Sequence, residues 1–148
     1  MNKSRAPGAV DPKRSALMAR VRQKDTTPEM IVRRVAHGLG YRFRLHRTSL
    51  PGSPDLVFPS RRVAVFVHGC FWHRHEGCPK STVPKTRQEY WLSKFKDNVT
   101  RDERAVAELE LRGWLVIVIW ECETTSPEKV AGRLKAFLEG IVPSRSEV

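Results

Sequence analysis

The chain has 148 residues, 40% of them hydrophobic, and its 27 Lys and Arg against 16 Asp and Glu give a formal net charge of +11. This length suits one domain, which can bury roughly 68–70% of its unfolded surface without disulfides. The charge favours a polyanionic partner, above all nucleic acid, over a merely solvated surface. No apolar run reaches the ~20 residues that span a bilayer, and the N-terminus lacks the apolar core of a secretory signal. We therefore expect no membrane partner and a cytoplasmic protein, with its cysteines present as reduced thiols or metal ligands.

The N-terminal region divides into two parts. Residues 1–14 contain proline, glycine and several bases, which predict a flexible basic arm. Residues 15–24, SALMARVRQK, place Met18 and other apolar residues at helical spacing among bases that include Arg22. Such a helix would either lie on a partner or pack on the core, and the pattern leaves both open. We expect the folded domain to cover 15–140 and residues 141–148 to form a tail.

The next segment predicts a helix followed by a strand. TTPE begins the helix with a capping threonine, a first-turn proline and Glu29, which completes a capping box. YRFRLH, residues 41–46, alternates as a half-buried strand. That alternation puts Tyr41, Phe43 and Leu45 on one side and Arg42, Arg44 and His46 on the other.

The rest of the chain predicts three buried strands and two helices. Apolar runs at 55–58, 63–68 and 114–120 are typical of buried strands. A helical stretch covers about 87–112, and its length suggests a break near Asn98–Thr100, while a last helix begins at 126–128. The order helix, three strands, helix, strand, helix predicts an α/β domain with a mixed central sheet flanked by helices.

The stretch HGCFWHRHEGC, residues 68–78, concentrates three histidines and two cysteines around a phenylalanine and a tryptophan. With Cys122, which follows the last predicted strand, it offers three thiols and an imidazole, the ligand set of a closed tetrahedral zinc site. His73 and His75 both lie within reach by spacing, so the imidazole ligand is left open and one histidine stays available for chemistry. The alternative is that Cys70, Cys78 and Cys122 are ordinary core or idle cysteines.

Asp55 begins a strand after a Pro-Gly-Ser-Pro turn and is a natural ligand for Mg²⁺, which takes one or two carboxylates and keeps its waters. Pro54-Asp55 also resembles the start of the PD-(D/E)-x-K nuclease signature. The following strand has neither the acid nor the lysine of that signature, so a nuclease of this kind needs another base. Histidine is the usual general base at neutral pH, so His73 is suited to take a proton from water, with Asp102 as the carboxylate that orients it. For Asp55 and Glu29 the alternative role is helix or turn capping.

At these residues the chain resembles a known family. KDTTPEM, YRFRLHR, LPGSPDLVF, FVHGCFWHRHEGC, KFKDNVTRDERA and GWLVIVIWECE are together similar to the very-short-patch repair endonucleases of bacteria, over about residues 13–125. The resemblance implies a variant of the restriction-endonuclease fold. It also implies Mg²⁺-dependent nicking of one DNA strand beside a thymine–guanine mismatch, the product of 5-methylcytosine deamination.

The resemblance further implies a role for each site residue. Asp55 and the main-chain carbonyl of Val67 would ligate magnesium, Glu29 and His68 would hold metal-bound waters, and His73 paired with Asp102 would be the general base. Structural zinc would be held by Cys70, His75, Cys78 and Cys122. Phe71, Trp72 and Trp91 would wedge into the duplex, Asn98 would lie near the scissile phosphate or the mismatch, and the segment with Met18 and Arg22 would reach across the DNA.

Two departures from the family's best-known pattern are a longer gap between His75 and Cys78 and a valine, Val67, in place of threonine. Two rival functions follow: a zinc-stapled DNA-binding module that does not cleave, and an endonuclease with another mismatch or a restriction-like specificity. An RNA-binding role is disfavoured because no aromatic sheet face of the expected pattern is present. We expect a monomer acting on double-stranded DNA in the bacterial nucleoid, with downstream repair proteins as further partners.

Overall fold

The structure is a computed structural model that describes residues 26–140. The arm 1–14, the helix expected within 15–24 with Met18 and Arg22, and the tail 141–148 lie outside the described residues. The helices are α1 (Thr27–Gly38), α2 (Gln88–Leu111) and α3 (Pro127–Leu138), and the strands are β1 (Arg44–Leu45), β2 (Leu56–Phe58), β3 (Val63–His68) and β4 (Leu115–Trp120). This order confirms the sequence prediction. No helix among residues 26–140 is long and apolar enough to cross a membrane.

The four strands form one mixed sheet in the order β1-β2-β3-β4. The first three pair antiparallel, whereas β3 and β4 pair parallel, so α2 makes the crossover between them. In the parallel register His68 lies opposite Trp120, the last residues of their strands. The segments that follow these two strands therefore leave the sheet side by side. This places the cysteine- and histidine-rich stretch 68–78 beside the end of β4.

Strand alternation divides the core into two layers. On one face, β2, β3 and β4 pack against α1 and α3 through a cluster that includes Val32, Phe58, Ile117 and Leu134. On the other face, α2 covers a second cluster that includes Phe66, Val106 and Val116. The same alternation sends His68 to the α2 face, because it lies two residues beyond Phe66.

The strand predicted at 41–46 is reduced to Arg44 and Leu45, and part of its expected pattern is wrong. Leu45 is 41% exposed, although Tyr41 and Phe43 pack on Phe58 as the alternation requires. The strand ends at Leu45 because the next residue, His46, has a φ of 47, in the left-handed region, which interrupts the extended backbone. The break expected near Asn98 is also absent: α2 is one uninterrupted helix, held to the sheet by Ala105, Val106 and Leu109.

Candidate active site

The four predicted zinc ligands converge at the carboxyl ends of β3 and β4. Cys70 follows β3 by two residues and Cys122 follows β4 by two, and the parallel register brings them together. One ligand atom each from Cys70, His75, Cys78 and Cys122 lies within 4.8 Å of the others. The structure thus selects His75 rather than His73 as the imidazole of this cluster.

The spacing of these atoms fits zinc. His75 Nδ1 lies 3.6 Å from Cys70 Sγ and 3.4 Å from Cys122 Sγ. In a tetrahedral site with Zn–S of ~2.3 Å and Zn–N of ~2.05 Å, sulfur and nitrogen are about 3.6 Å apart. Burial raises the pKa of the Cys70 thiol to about 12, so without a cation to replace its proton this thiol stays neutral.

Further contacts fix the loop that carries the cluster. The His75 ring stacks on Trp120, with centroids 4.3 Å apart and planes 7° from parallel. The Ser81 hydroxyl lies 2.8 Å from the carbonyls of both Cys70 and His75. The Glu121 carboxylate accepts from the Cys70 N–H at 3.2 Å. The longer gap between His75 and Cys78 is therefore accommodated, with Gly77 at φ 77 making the extra turn.

His73 and Asp102 form a hydrogen-bonded pair. Nδ1 of His73 lies 2.6 Å from Oδ2 of Asp102, which projects from the middle of α2. The two side chains are 30% and 25% exposed, so His73 is held by the protein and still reachable. Both residues line a cleft of about 700 Å³. A ring held through Nδ1 keeps Nε2 available for proton transfer.

His68 lies directly against this pair. Its ring stacks on the His73 ring with centroids 3.9 Å apart and planes 6° from parallel. Burial, and next the charge of His73, lower the pKa of His68 to about 3, so His68 is neutral at physiological pH. A neutral ring leaves the neighbouring His73 free to carry the positive charge that it gains as a base.

Asp55 occupies the turn before β2, beside the last residues of β3. Its Oδ2 accepts the Val67 N–H at 2.7 Å, and its own N–H donates to the Val65 carbonyl at 2.9 Å. Burial raises the pKa of Asp55 to about 6, and the Glu29 charge adds to the rise. A buried carboxylate whose charge is so poorly compensated suits a cation ligand. The Val67 main chain lies next to this carboxylate, and its carbonyl as a ligand stays a prediction.

Glu29 is buried, at 1% exposure, and its position does more than cap a helix. Its N–H donates the capping bond to Thr26 Oγ1 at 3.3 Å, whereas its carboxylate points to Arg33 and His46. His46 Nε2 lies 2.6 Å from Glu29 Oε2, and one ligand atom each from Glu29, His46 and Asp55 lies within 4.8 Å of the others. Sequence analysis placed His46 on the outer side of its strand and missed this contact. The available signal was the residue type, because histidine is enriched in left-handed backbone.

The three predicted wedge residues form one aromatic cluster with Phe95. Phe71 makes edge contacts with Trp72, Trp91 and Phe95, at centroid distances of 5.2, 5.9 and 5.2 Å. Phe71 and Trp72 are partly exposed, but Trp91 is only 3% exposed. The buried Trp91 Nε1 has no hydrogen-bond partner among the described residues. In this conformation Trp91 supports the other two rings from beneath, and base contact by Trp91 requires the cluster to open.

Arg74 fastens this aromatic cluster to the loop. Its guanidinium donates to the carbonyls of Phe71, Ser81 and Thr82, each at 3.0 Å. It also lies over the Phe95 ring at 3.8 Å and the Phe71 ring at 5.6 Å. Asn98 makes a related contact, since its Nδ2 donates to the Trp72 carbonyl at 3.1 Å. This role of Arg74 was not predicted, because an arginine in a basic chain carries no distinguishing pattern.

Comparisons with known proteins identify the family of this chain. The sequence family described as DNA mismatch endonuclease Vsr matches residues 9–80. The Type II nicking enzyme V.XorIIP of Xanthomonas oryzae pv. oryzae is 50% identical over 127 residues, 86% of this chain and 93% of that protein. DNA mismatch endonuclease Vsr of Escherichia coli (strain K12) is 42% identical over 117 residues, 79% of this chain and 74% of that protein. The chain belongs to the Vsr family.

Members of the Vsr family are nucleases, and this chain is accordingly a DNA endonuclease. A solved structure, the catalytic domain of the homing endonuclease I-Bth0305I, superposes with a TM-score of 0.57 at 19% identity, over 80% of this chain and all of that one. This likeness concerns the fold alone, and it confirms the restriction-endonuclease-like architecture that the sequence predicts.

Proposed function

We propose that this Vsr-family chain nicks one strand of double-stranded DNA beside a thymine–guanine mismatch left by deaminated 5-methylcytosine, in a reaction that depends on Mg²⁺. The observation that carries the proposal is the His73–Asp102 pair, whose atoms are 2.6 Å apart. This pair lies close enough to the buried Asp55 for the charge of His73 to lower the pKa of that carboxyl. A base that is oriented by a carboxylate and lies beside a cation-binding carboxylate is the minimum equipment for phosphodiester hydrolysis.

Magnesium would be held by Asp55 and the Val67 carbonyl, with Glu29 and His68 near its waters. When bound there, the ion would stabilise the negative charge that develops on the phosphate. His73 takes the proton from the attacking water through Nε2, and Asp102 keeps the ring in the tautomer that accepts it. His68 stays neutral and packs on the His73 ring, which limits its rotation.

Zinc at Cys70, His75, Cys78 and Cys122 would serve structure rather than chemistry, because four protein ligands close the coordination sphere. The loop that it ties down carries Phe71 and Trp72 next to His73. Their insertion between base pairs would cost a few kcal/mol of unstacking, and less at a mismatch that is already easier to open. Deformability of the DNA thereby contributes to selectivity. Asn98, bonded to the Trp72 carbonyl, would hold the wedge near the scissile phosphate.

Exposed basic side chains in two places support DNA as the proposed substrate. Exposed bases without a carboxylate partner among residues 26–140 lie on the outer face of α2 and on the edge of the sheet; they include Lys94, Arg104, Arg42 and Arg44. Met18, Arg22 and the basic arm would add contacts from the other side of the duplex. We further propose that the chain acts as a monomer in the bacterial nucleoid and passes the nicked DNA to downstream repair proteins.

A labelled-duplex assay tests the proposal. Duplexes with a thymine–guanine mismatch, other mismatches or perfect pairing are incubated with the protein in varied flanking sequences, with Mg²⁺ or with EDTA. We expect a single-strand nick only at thymine–guanine, present with Mg²⁺ and absent with EDTA, and abolished in Asp55→Ala. Nicking of every duplex contradicts the mismatch specificity, and tight binding without any nick identifies a non-cleaving module.

A second candidate function is nicking in a different sequence context or at other mismatches. The similarity to V.XorIIP and to the Type II nicking enzyme V.NmeAIP of Neisseria meningitidis, which is 38% identical over 129 residues, favours it. The chemistry is the same in both cases, and the flanking-sequence arm of the assay separates them.

A further inference from the structure

His46 brings an imidazole nitrogen to the two carboxylates beside which magnesium is proposed to bind. One ligand atom each from Glu29, His46 and Asp55 lies within 4.8 Å of the others. On a single octahedral ion with ligands at about 2.1 Å, adjacent donors are about 3 Å apart and opposite donors about 4.2 Å apart. The upper limit of 4.8 Å is close to the wider of these separations, so the three side chains lie near enough to share one ion.

The backbone turns His46 toward this group at a conformational cost. Residues Arg42 and Arg44 continue their alternation into solvent, and an unbroken strand would place His46 on their side. Instead His46 adopts φ 47, while its N–H still donates to the Asp55 carbonyl at 3.0 Å. A left-handed residue with a Cβ is unfavourable in itself, and such residues concentrate at functional sites.

Arg33 would keep the Glu29 carboxylate paired if His46 turned away from it. The Arg33 guanidinium donates to the same Glu29 Oε2 that His46 contacts, from Nε at 3.1 Å and from Nη2 at 2.5 Å. If His46 Nε2 turned to a cation, Glu29 Oε2 would keep a charged donor and would not be left buried without compensation.

We propose that His46 Nε2 is a direct ligand of the ion that Asp55 holds, and that this nitrogen makes the site select Mn²⁺ over Mg²⁺. Mg²⁺ strongly prefers oxygen donors, whereas Mn²⁺ takes carboxylates and also accepts imidazole. Glu29 stays beside the ion, held by Arg33. The inference rests on the proposed function, since it concerns the ion of that same site.

The test detects the nitrogen itself. Zinc-loaded protein, whose cysteine cluster is filled, is titrated with Mn²⁺ and studied by pulsed electron paramagnetic resonance for coupling to a directly bound ¹⁴N. We expect this coupling in the wild type and its loss in His46→Asn, because asparagine tolerates the left-handed backbone but has no imidazole. Calorimetry should show Mn²⁺ affinity falling at least about tenfold in this variant, and Mg²⁺ affinity changing by less than about threefold.

Two controls locate the ion. Asp55→Asn should abolish Mn²⁺ binding, which would place the ion at this carboxylate. His68→Gln should keep the ¹⁴N coupling, since its ring packs on His73 rather than on Asp55. Absence of the coupling in the wild type, or its persistence in His46→Asn, overturns the inference.

Nicking assays on the same samples keep the two proposals apart. If the wild type nicks mismatched DNA but shows no ¹⁴N coupling, His46 is not a ligand and the proposed function stands. If the coupling is present and lost in His46→Asn, but no duplex is nicked with either ion, the metal site is real and the proposed function fails.

Discussion

His73 Nδ1 lies 2.6 Å from Asp102 Oδ2, although the two residues are 29 positions apart in the chain. The contact exists because the loop after β3 folds back over α2 and because α2 runs unbroken past Asp102. A histidine held in this way at Nδ1 is ready to accept a proton at Nε2. The pair is therefore the part of the site whose removal should affect the rate most and the fold least.

Asp102→Asn should lower the single-turnover nicking rate by about 10²–10⁴, because the wrong His73 tautomer is then favoured. Asp97→Asn is the matched control, an exposed carboxylate on the same helix. Its rate should stay within a few-fold of the wild type at saturating protein. Equal rates in the two variants would remove Asp102 from the mechanism.

Asp55→Asn should make the metal-free protein more stable at pH 7.5 while it abolishes nicking. Burial raises the pKa of Asp55 from 3.8 to about 6, so the folded state holds this proton more tightly than the unfolded chain. That contribution to stability is present below about pH 4 and is lost as the pH rises through 6. Above pH 6 the buried charge costs about 3 kcal/mol, which asparagine avoids while it still accepts the Val67 N–H.

Thermal unfolding in EDTA-free, magnesium-free buffer at pH 5 and pH 7.5 measures this effect. The gain of the variant over the wild type should be larger at pH 7.5, and Asp97→Asn should show no such difference. A variant that is less stable than the wild type at pH 7.5 would show that the Asp55 charge is compensated by other groups.

The sequence predicted much of this site because ligand spacing follows from strand order. Cys70 and Cys122 each come two residues after a buried apolar run, and parallel neighbouring strands bring such positions together. His73 and Asp102 were found from their chemistry and from the family resemblance, and the structure brings them into contact. Their catalytic roles, like the ions themselves, stay predictions.

The features that were not predicted depend on backbone dihedral angles and on the burial of side chains. His46 faces Glu29 only because its φ is positive, and a side-chain pattern with a period of two cannot report that reversal. Trp91 is buried because Phe71, Trp72 and Phe95 lie over it, although its spacing on α2 is equally typical of an exposed anchor. Arg74 fastens the loop by donating to three main-chain carbonyls, whose positions cannot be read from the sequence.

Zinc removal should loosen the loop that carries Phe71 and Trp72. Wild-type protein should contain about one zinc per chain by elemental analysis, and Cys122→Ser should contain much less. Because a structural zinc supplies on the order of 10 kcal/mol, the variant should melt at a clearly lower temperature and lose nicking. Full zinc retention in Cys122→Ser would show that this thiol is not a ligand.

Replacing Arg42 and Arg44 with glutamine should weaken binding to matched and mismatched duplexes alike. Both side chains are exposed at the sheet edge next to the Asp55 turn, and phosphate contacts carry no sequence information. Each lost contact should reduce the slope of log K against log salt by about 0.9. Lys129→Gln and Lys135→Gln on α3, across the sheet from α2, are the controls, and an unchanged slope in the arginine variants contradicts the assignment.

Arg74→Met should show whether Arg74 positions Phe71 and Trp72 for insertion into DNA or only stabilises the fold. Methionine keeps an apolar chain over Phe95 but cannot donate to the three carbonyls, which should cost about 1–3 kcal/mol of unfolding free energy. With Phe71 and Trp72 less firmly placed, nicking of mismatched DNA should fall more than overall DNA affinity. Arg87→Met, an exposed arginine over Tyr90 at 6.0 Å, is the matched control and should leave both quantities unchanged. If Arg74→Met loses stability but keeps the full ratio of mismatched to matched nicking, Arg74 supports only the loop, and the wedge is positioned by zinc and Asn98 alone.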